Sequence, residues 1–308
     1  MVVAAVDAFR QEDEPAPPSA TTAIENRDEL AAALTELGAR GELLLFGDGC
    51  SVSVLELPSL VLDPKEDCSP RGSRSPDGEL VAACRGNETE IFYTADGSVY
   101  GGSPGCAPAW RPDGVLTVAY RREVVRFRLP CRRTTFCPVT LIPRAELERA
   151  ARRHPTVPDP PIHVRALVED VAWLSNERAA VSLSIELGAR YDRVGPLNAL
   201  AFFRRGRLDA TPPYYRETGG DLAASPRGTY VTETPDVILR ADGSGVTLPP
   251  HLQDARDFAW SPDERFLAMA TRFAIVVIAV ESLERYDRTG GGLRSVTVPE
   301  TALQLEWR

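Results

Sequence analysis

The chain has 308 residues and a formal net charge of −9, with 44 acidic and 35 basic side chains. This acidic balance argues against a general nucleic-acid-binding surface, which requires clustered positive charge. The length fits one large β domain. Among the basic residues only Lys65 is lysine, and this bias indicates a GC-rich bacterial genome.

The N-terminal region is predicted to be a flexible tether over residues 1–23, because residues 11–22 are rich in proline, alanine, threonine and acidic groups. The apolar stretch at residues 1–6 is too short for a membrane span or a signal core, and Asp7 interrupts it. Either the protein is cytosolic, or a leader or membrane anchor has been trimmed. We favour trimming, and therefore a secreted or membrane-anchored location in the cell envelope.

A capping helix is predicted within residues 24–40. Leu30, Ala33 and Leu37 share one face at helical spacing, and Gly38 supplies a stop signal. Residues 41–308 then form the main domain.

A short turn motif recurs along the main domain, and each copy precedes an apolar run. The four copies are Arg74-Ser75-Pro76-Asp77-Gly78, Trp110-Arg111-Pro112-Asp113-Gly114, Ala224-Ser225-Pro226-Arg227-Gly228 and Trp260-Ser261-Pro262-Asp263-Glu264. Proline fixes φ, aspartate bonds the backbone, and glycine accepts a positive φ, so each copy joins two strands. We therefore interpret Asp77, Asp113 and Asp263 as structural turn residues. Repeated hairpins of this length predict a β-propeller.

One copy of the repeat is split between the two ends of the domain. Gly41–Phe46 matches residues 78–83 in register, but no turn motif precedes it. Residues 305–308 resemble an inner strand that stops where such a turn would follow. Pairing of this C-terminal strand with the N-terminal blade would close the ring and remove open sheet edges. Counting blades at Leu43, Leu80, Val115, Ala179, Tyr230 and Phe266 predicts six.

The Pro-Asp-Gly units, with Ala-Trp-Ser-Pro-Asp at 259–263, resemble the repeats of TolB-like six-bladed propellers, which are related to WD-repeat proteins. The resemblance spans residues 41–308, although residues 168–211 depart from it. It implies an all-β architecture. It also implies a binding role, because members of that group mostly act as interaction platforms and some are fused to hydrolase domains.

Six cysteines predict disulfides. Their positions within the repeat favour the pairs Cys50–Cys68 and Cys84–Cys106, and Cys131–Cys137 would close a small local loop. Fifteen connectivities remain open, and free thiols in a cytosolic protein are the alternative. No Cys-x-x-Cys occurs, and the three histidines lack ligand-like spacing, so neither a metal nor another cofactor is expected.

Gly101-Gly102-Ser103-Pro104-Gly105 matches the Gly-x-Ser-x-Gly pattern of serine hydrolases. A nucleophile elbow needs a strand, a sharp turn and a helix. Here the motif lies between two blades, so we interpret it as a loop and expect no catalytic residue.

Arginines cluster after the third blade and form the candidate binding surface: Arg121, Arg122, Arg126, Arg128, Arg132 and Arg133. Arginine pairs bidentately with carboxylate or phosphate, so an anionic partner would fit. The alternative is a solvated outer strand whose charges protect a sheet edge. A helical insertion is predicted at about 138–165, and insertions on a rigid propeller commonly carry partner specificity.

The resulting expectation is a non-catalytic, extracytoplasmic module that binds another protein, such as an envelope component, or a ligand. Nucleic acid is not expected as a partner, and a membrane would be reached only through a missing anchor. The alternative is a propeller-type hydrolase or lactonase with a site in the central channel. That alternative requires several Asp, Asn, Glu or His side chains at one mouth of the channel.

Overall fold

The computed structural model is a six-bladed β-propeller, in which the blades are antiparallel sheets ordered from the central channel outwards. The structure describes residues 27–47, 51–66, 72–128, 137–155, 157, 163–188, 197–211, 213–216, 220–253 and 255–308. Among these residues, no helix is both long and apolar enough to span a bilayer.

The strands are numbered in chain order. They are β1 (Gly41–Phe46), β2 (Ser51–Leu57) and β3 (Leu62–Glu66) in blade A; β4 (Ser73–Arg74), β5 (Leu80–Arg85), β6 (Glu88–Tyr93) and β7 (Val99–Pro104) in blade B; β8 (Cys106–Trp110), β9 (Leu116–Tyr120), β10 (Glu123–Arg128) and β11 (Cys137–Ile142) in blade C; β12 (Val164–Trp173), β13 (Arg178–Leu187), β14 (Leu197–Arg204), β15 (Arg207–Leu208) and β16 (Tyr214–Arg216) in blade D; β17 (Leu222–Ala224), β18 (Tyr230–Glu233) and β19 (Val237–Arg240) in blade E; β20 (Asp257–Trp260), β21 (Phe266–Ala270), β22 (Ile275–Ala279) and β23 (Ser295–Val298) in blade F; and β24 (Gln304–Trp307), which returns to blade A. The helices are α1 (Arg27–Leu37), α2 (Arg144–Arg152) and α3 (Val280–Thr289), and Pro250–Leu252 forms a 3-10 turn.

The ring is closed by β24, which pairs antiparallel with β1 and becomes the inner strand of blade A. Leu43 lies opposite Trp307, and Phe46 lies opposite Gln304. The Trp307 ring is buried and stacks on Phe266 of blade F with centroids 6.0 Å apart. The predicted closure by the C-terminal strand is confirmed, as is the count of six blades.

The turns after the inner strands are held by short side-chain hydrogen bonds. In blade B, the Ser75 hydroxyl donates to Asp77 Oδ1 at 2.5 Å, and the Glu79 amide donates to the same oxygen at 3.0 Å. Ser261 and Asp263 make the equivalent bond in blade F at 2.7 Å. A serine and an aspartate at this spacing therefore fix where the second strand begins.

Apolar side chains fill the spaces between neighbouring blades. The cluster between blades F and A also buries Leu30, Leu34 and Leu37 of α1. Gly38 follows the helix with a φ of +85°, a conformation that suits glycine and ends the helix. The N-terminal helix therefore seals the junction at which the two ends of the domain meet.

The insertion between blades C and D is shorter than predicted. Residues 138–142 belong to β11, and Val139 on this strand lies opposite Arg126 on β10. The run of β-branched and aliphatic residues from 139 to 142 favours a strand, which the prolines on both sides obscured in the sequence. The insertion comprises residues 143–163 and contains α2.

Blade D contains a long hairpin, because β12 and β13 have 10 residues each. Ala166 and Ile185 of this hairpin belong to one buried apolar cluster with Leu147 and Ala150 of α2. The helix α2 therefore packs on blade D.

Candidate functional site

One mouth of the central channel is a cavity of about 690 Å³ to which all six blades contribute. It lies at the end where the inner strands begin, and we call it the channel mouth. Its lining residues are Gly72, Ser73, Ala83, Cys84, Gly86, Asn87, Cys106, Ala107, Pro108, Val168, Glu169, Asp170, Val171, Asp221, Leu222, Ala223, Asp257, Phe258, Leu303, Gln304 and Leu305.

Acidic residues occupy the same repeat position on three consecutive blades. Asp170 and Asp257 stand three residues before the tryptophans that end β12 and β20, and Asp221 holds the matching place before β17. Blades A and C have Gln304 and Ala107 at this position. The acidic half of the mouth therefore belongs to blades D, E and F.

A β-bulge adds a fourth carboxylate to this half. The pairing of β12 with β13 shifts between Val168 and Asp170, so Glu169 is the extra residue and its side chain is exposed. Bulges of this kind redirect side chains beside functional sites. Sequence reasoning missed all four acids, although Asp170 and Asp257 share a fixed distance from the inner-strand tryptophan, which was a usable signal.

Two of the four carboxylates hold neighbouring blades together. Asp170 Oδ1 accepts the Val171 amide at 2.8 Å, and Asp170 Oδ2 accepts the Leu222 amide of blade E at 2.7 Å. Asp257 Oδ2 accepts the Leu305 amide of blade A at 2.6 Å. Asp170 and Asp257 therefore have a structural role, whereas the exposed Asp221 and Glu169 face the cavity.

Burial changes the titration of Asp170. Desolvation raises the pKa of this carboxyl to about 7, although its two backbone hydrogen bonds act in the opposite direction. The nearby charges of Asp221 and Glu233 raise the pKa further. Glu233 is buried behind the inner strands, where it accepts the Ser182 hydroxyl at 2.7 Å.

The described lining of the channel mouth contains four carboxylates and no lysine, arginine or histidine. Concave acidic surfaces concentrate field lines and attract cations. The described residues contain no group of three or more His, Cys, Asp or Glu arranged to hold a metal ion. The arrangement suits a cationic group on a ligand or on a partner protein.

A disulfide lies on the opposite rim of the mouth. Cys84 at the end of β5 is bonded to Cys106 at the start of β8, with the two Cα atoms 5.1 Å apart. This pair joins blades B and C and confirms the predicted bond. The predicted bonds Cys50–Cys68 and Cys131–Cys137 lie outside the described residues, except that the backbone of Cys137 begins β11.

The structure does not gather the candidate arginines into one described cluster. Arg121 and Arg122 form the tight turn between β9 and β10, with φ of 51° and 63°. Arg121 stacks on the Tyr120 ring at 5.0 Å, and Arg122 Nη1 lies 3.9 Å from Glu148 Oε1 of α2.

The remaining candidate arginines lie farther along the same segment. Arg126 lies on β10, and β10 is paired on both sides, with β9 and with β11. The alternative prediction of an outer strand that protects an edge is therefore wrong, because β11 covers that edge. The side chain of Arg128 and all of Arg132 and Arg133 lie outside the described residues.

The three turn aspartates lie at the far ends of the inner strands from the channel mouth. At the blade C turn, the Val115 amide donates to Asp113 Oδ1 at 3.3 Å, and Arg111 Nη2 lies 2.8 Å from Asp113 Oδ2. The turn bonds lower the pKa of Asp77, first through the Ser75 hydroxyl and then through the Glu79 amide. These aspartates do not contribute to the candidate site.

The Gly-x-Ser-x-Gly segment forms a strand rather than the predicted loop. Residues 101–104 belong to β7, which pairs with β6 as the outermost strand of blade B. The Ser103 side chain is buried. The glycines concealed the strand in the sequence, because glycine is depleted in strands.

The sequence matches no protein-family model and no curated protein. Among solved structures, the chain is similar to Kuenenia stuttgartiensis hydrazine synthase, with a TM-score of 0.50 and 11% identity over 83% of each chain. It is also similar to the β-propeller domain of Myceliophteria thermophila Cps50 (Swd1), with a TM-score of 0.43 and 13% identity over 87% of this chain and 90% of that chain. At such identities the likeness concerns the fold alone.

Proposed function

We propose that this propeller is a non-catalytic binding module and that its channel mouth receives a cationic group of a partner protein or ligand. The observation that carries the proposal is the acidic residue at one repeat position of blades D, E and F. These carboxylates and Glu169 share a cavity of about 690 Å³ whose described lining has no basic side chain.

The four carboxylates of the channel mouth have two different roles. Asp170 and Asp257 accept hydrogen bonds from backbone amides of the neighbouring blades. These bonds keep the acidic half of the channel mouth rigid. Asp221 and Glu169 are exposed to the cavity and are available to a cation. A rigid rim with a few placed charges favours recognition, because little side-chain entropy is lost on binding.

An extracytoplasmic location accompanies this proposal. The Cys84–Cys106 bond lies at the exposed rim of the mouth, and such bonds persist in oxidising compartments. We further propose a TolB-like module that forms the outer domain of a membrane-anchored bacterial protein with an envelope partner. The Pro-Asp-Gly turns and the split blade support this kinship.

A hydrolase or lactonase is the second candidate, and the titration of Asp170 favours it. A carboxyl whose pKa is about 7 suits acid–base catalysis near neutral pH. However, both Asp170 oxygens accept backbone amides, which leaves the carboxyl poorly placed to exchange a proton with a substrate. We therefore favour binding without catalysis.

The test compares binding of a lysine-rich decapeptide by the full chain and by two charge-matched double variants. Glu169→Gln with Asp221→Asn removes two exposed mouth carboxylates, and Glu29→Gln with Glu79→Gln removes two exposed carboxylates outside the mouth lining. Calorimetry at low salt should show about tenfold weaker binding for the mouth variant, about 1.4 kcal/mol. The control variant should change affinity by less than about twofold, and an equal loss in both variants would refute a site at the mouth.

A further inference from the structure

No described strand covers the outer edge of blade B. Strand β7 is the last strand of its sheet, and among the described residues it pairs only with β6. The helices pack mainly on other blades, α1 on β23, α2 on β12 and α3 on β22. One side of the β7 backbone therefore offers amide and carbonyl groups to another strand.

The sequence of β7 gives this edge little protection. The strand reads Val-Tyr-Gly-Gly-Ser-Pro, with no charged residue. Outer strand β3 of blade A, by contrast, contains Asp63, Lys65 and Glu66 around a proline. Charges, prolines and β-bulges are the usual means of blocking strand addition. Strand β7 has only the terminal Pro104 and a shift of register at Tyr100.

Exposed apolar side chains gather at the same hairpin. Val99 is 65% exposed, Tyr100 is 51% exposed and Tyr93 is 42% exposed. The two tyrosine rings meet edge to face with centroids 5.3 Å apart. Apolar groups that cluster on a surface mark interaction sites, whereas isolated ones are ordinary.

The charges around the edge are mainly acidic. Glu88 is exposed at one end of the hairpin, and Asp96 lies in its turn. The Ser98 hydroxyl and amide lower the pKa of Asp96, which keeps it ionised at neutral pH. Arg85 lies 3.3 Å from Glu90 and offsets that charge. A basic occupant would therefore complement the flanks of β7, while a second copy of this chain would bring acidic groups against them.

We propose that the β7 edge binds an extended segment of a partner protein that carries apolar and basic side chains and adds a strand to blade B. Backbone hydrogen bonds to β7 hold the segment, as in other cases of strand addition. Its apolar side chains cover Val99, Tyr93 and Tyr100, and its basic side chains approach Glu88 and Asp96. This surface adjoins the channel mouth only at the turn between β5 and β6, where Asn87 lines the mouth and Glu88 flanks the edge. Its binding does not depend on the mouth carboxylates.

Selection from a display library of random linear nonapeptides against the full chain tests this proposal. The expected binders lack proline, are rich in β-branched, aromatic and basic residues, and slow amide hydrogen exchange at residues 99–103. Tyr100→Glu should weaken them at least tenfold, because it adds a negative charge to an edge that Glu88 and Asp96 already flank and removes apolar contact. Val99→Asp should weaken binding in the same way. It is an independent variant of the same edge, so the test remains valid if Tyr100→Glu fails to fold.

The matched control is Phe273→Glu, which places the same charge at a side chain that is 76% exposed on blade F. It should leave the affinity within about twofold. Acidic or proline-rich binders, or equal affinity for Tyr100→Glu and wild type, would overturn the proposal. A dimer in sedimentation velocity that Tyr100→Glu dissociates would assign the edge to a second copy instead, and would also overturn it.

Discussion

Asp170 both connects two blades of the ring and contributes a titratable carboxyl to the channel mouth. Its carboxylate joins blade D to blade E through the Leu222 amide. Burial nevertheless disfavours the charged form, and raises the pKa to about 7. The residue therefore titrates in the range in which most carboxyls are already ionised.

This raised pKa predicts a pH-dependent contribution to stability. The folded chain holds the Asp170 proton more tightly than the unfolded chain, so the contribution is complete below about pH 4 and is lost as the pH rises towards 7. The free energy of unfolding of wild type, relative to Asp170→Asn, should fall by about 2 kcal/mol between pH 5 and pH 8. Urea titrations of both proteins across this range measure the difference.

The same variant supplies its own reference, because asparagine does not titrate. Loss of one backbone hydrogen bond in Asp170→Asn lowers stability by the same amount at every pH. A difference between the two proteins that stays constant from pH 5 to pH 8 would show that Asp170 is ionised throughout, as an ordinary carboxyl would be.

Residues with local signals were predictable from the sequence. The turn aspartates act within two residues of their partners, and Cys84 and Cys106 hold repeat positions on adjacent blades. Asp170, Asp221 and Asp257 are far apart in the chain, and their convergence depends on how the inner strands surround the channel. Their shared position, three residues before the end of the inner strand, becomes meaningful only once that ring is considered.

Strand β24 shows what an element contributes to the whole ring. It buries Leu305 and Trp307, pairs with β1 and donates the Leu305 amide to the Asp257 carboxylate of blade F. The Trp307 indole also donates to the Arg40 carbonyl at 3.1 Å. Closure therefore depends on four residues at the end of the chain.

Truncation of Trp307 to alanine should lower the free energy of unfolding by about 3–5 kcal/mol, since a large buried aromatic is removed and a cavity remains. Guanidinium denaturation measures the change. Phe273→Ala is the matched control because that ring is largely exposed, and it should change stability by less than about 0.5 kcal/mol. Equal, small effects for both variants would contradict closure by β24.

Elements whose composition departs from strand norms were the ones mispredicted. β7 contains two adjacent glycines and β11 begins beside prolines, so propensity favoured a loop and an insertion. Sheet pairing overrides that propensity, because each strand extends a hairpin whose earlier strands are strongly β-forming. The regular blades, by contrast, repeat one turn motif and one apolar run. This pattern can be recognised in the sequence without knowledge of the tertiary structure.

At the scale of the whole molecule, the propeller separates its two proposed surfaces. The channel mouth lies at one end of the ring and is lined by four acidic residues. The β7 edge lies on the outer rim of blade B. A module of this kind could hold a cationic group in its channel and a strand of a partner on its side at the same time.

In-cell photo-crosslinking tests whether the channel mouth is a binding site. A photoreactive residue is placed at Asn87, which lines the mouth, or at Glu79, which is exposed outside it. Asn87 should capture a recurrent partner, and Glu79 should not. Glu169→Gln with Asp221→Asn should abolish the capture. Capture that is equal at both positions, or that survives loss of the two carboxylates, would contradict a binding site at the mouth.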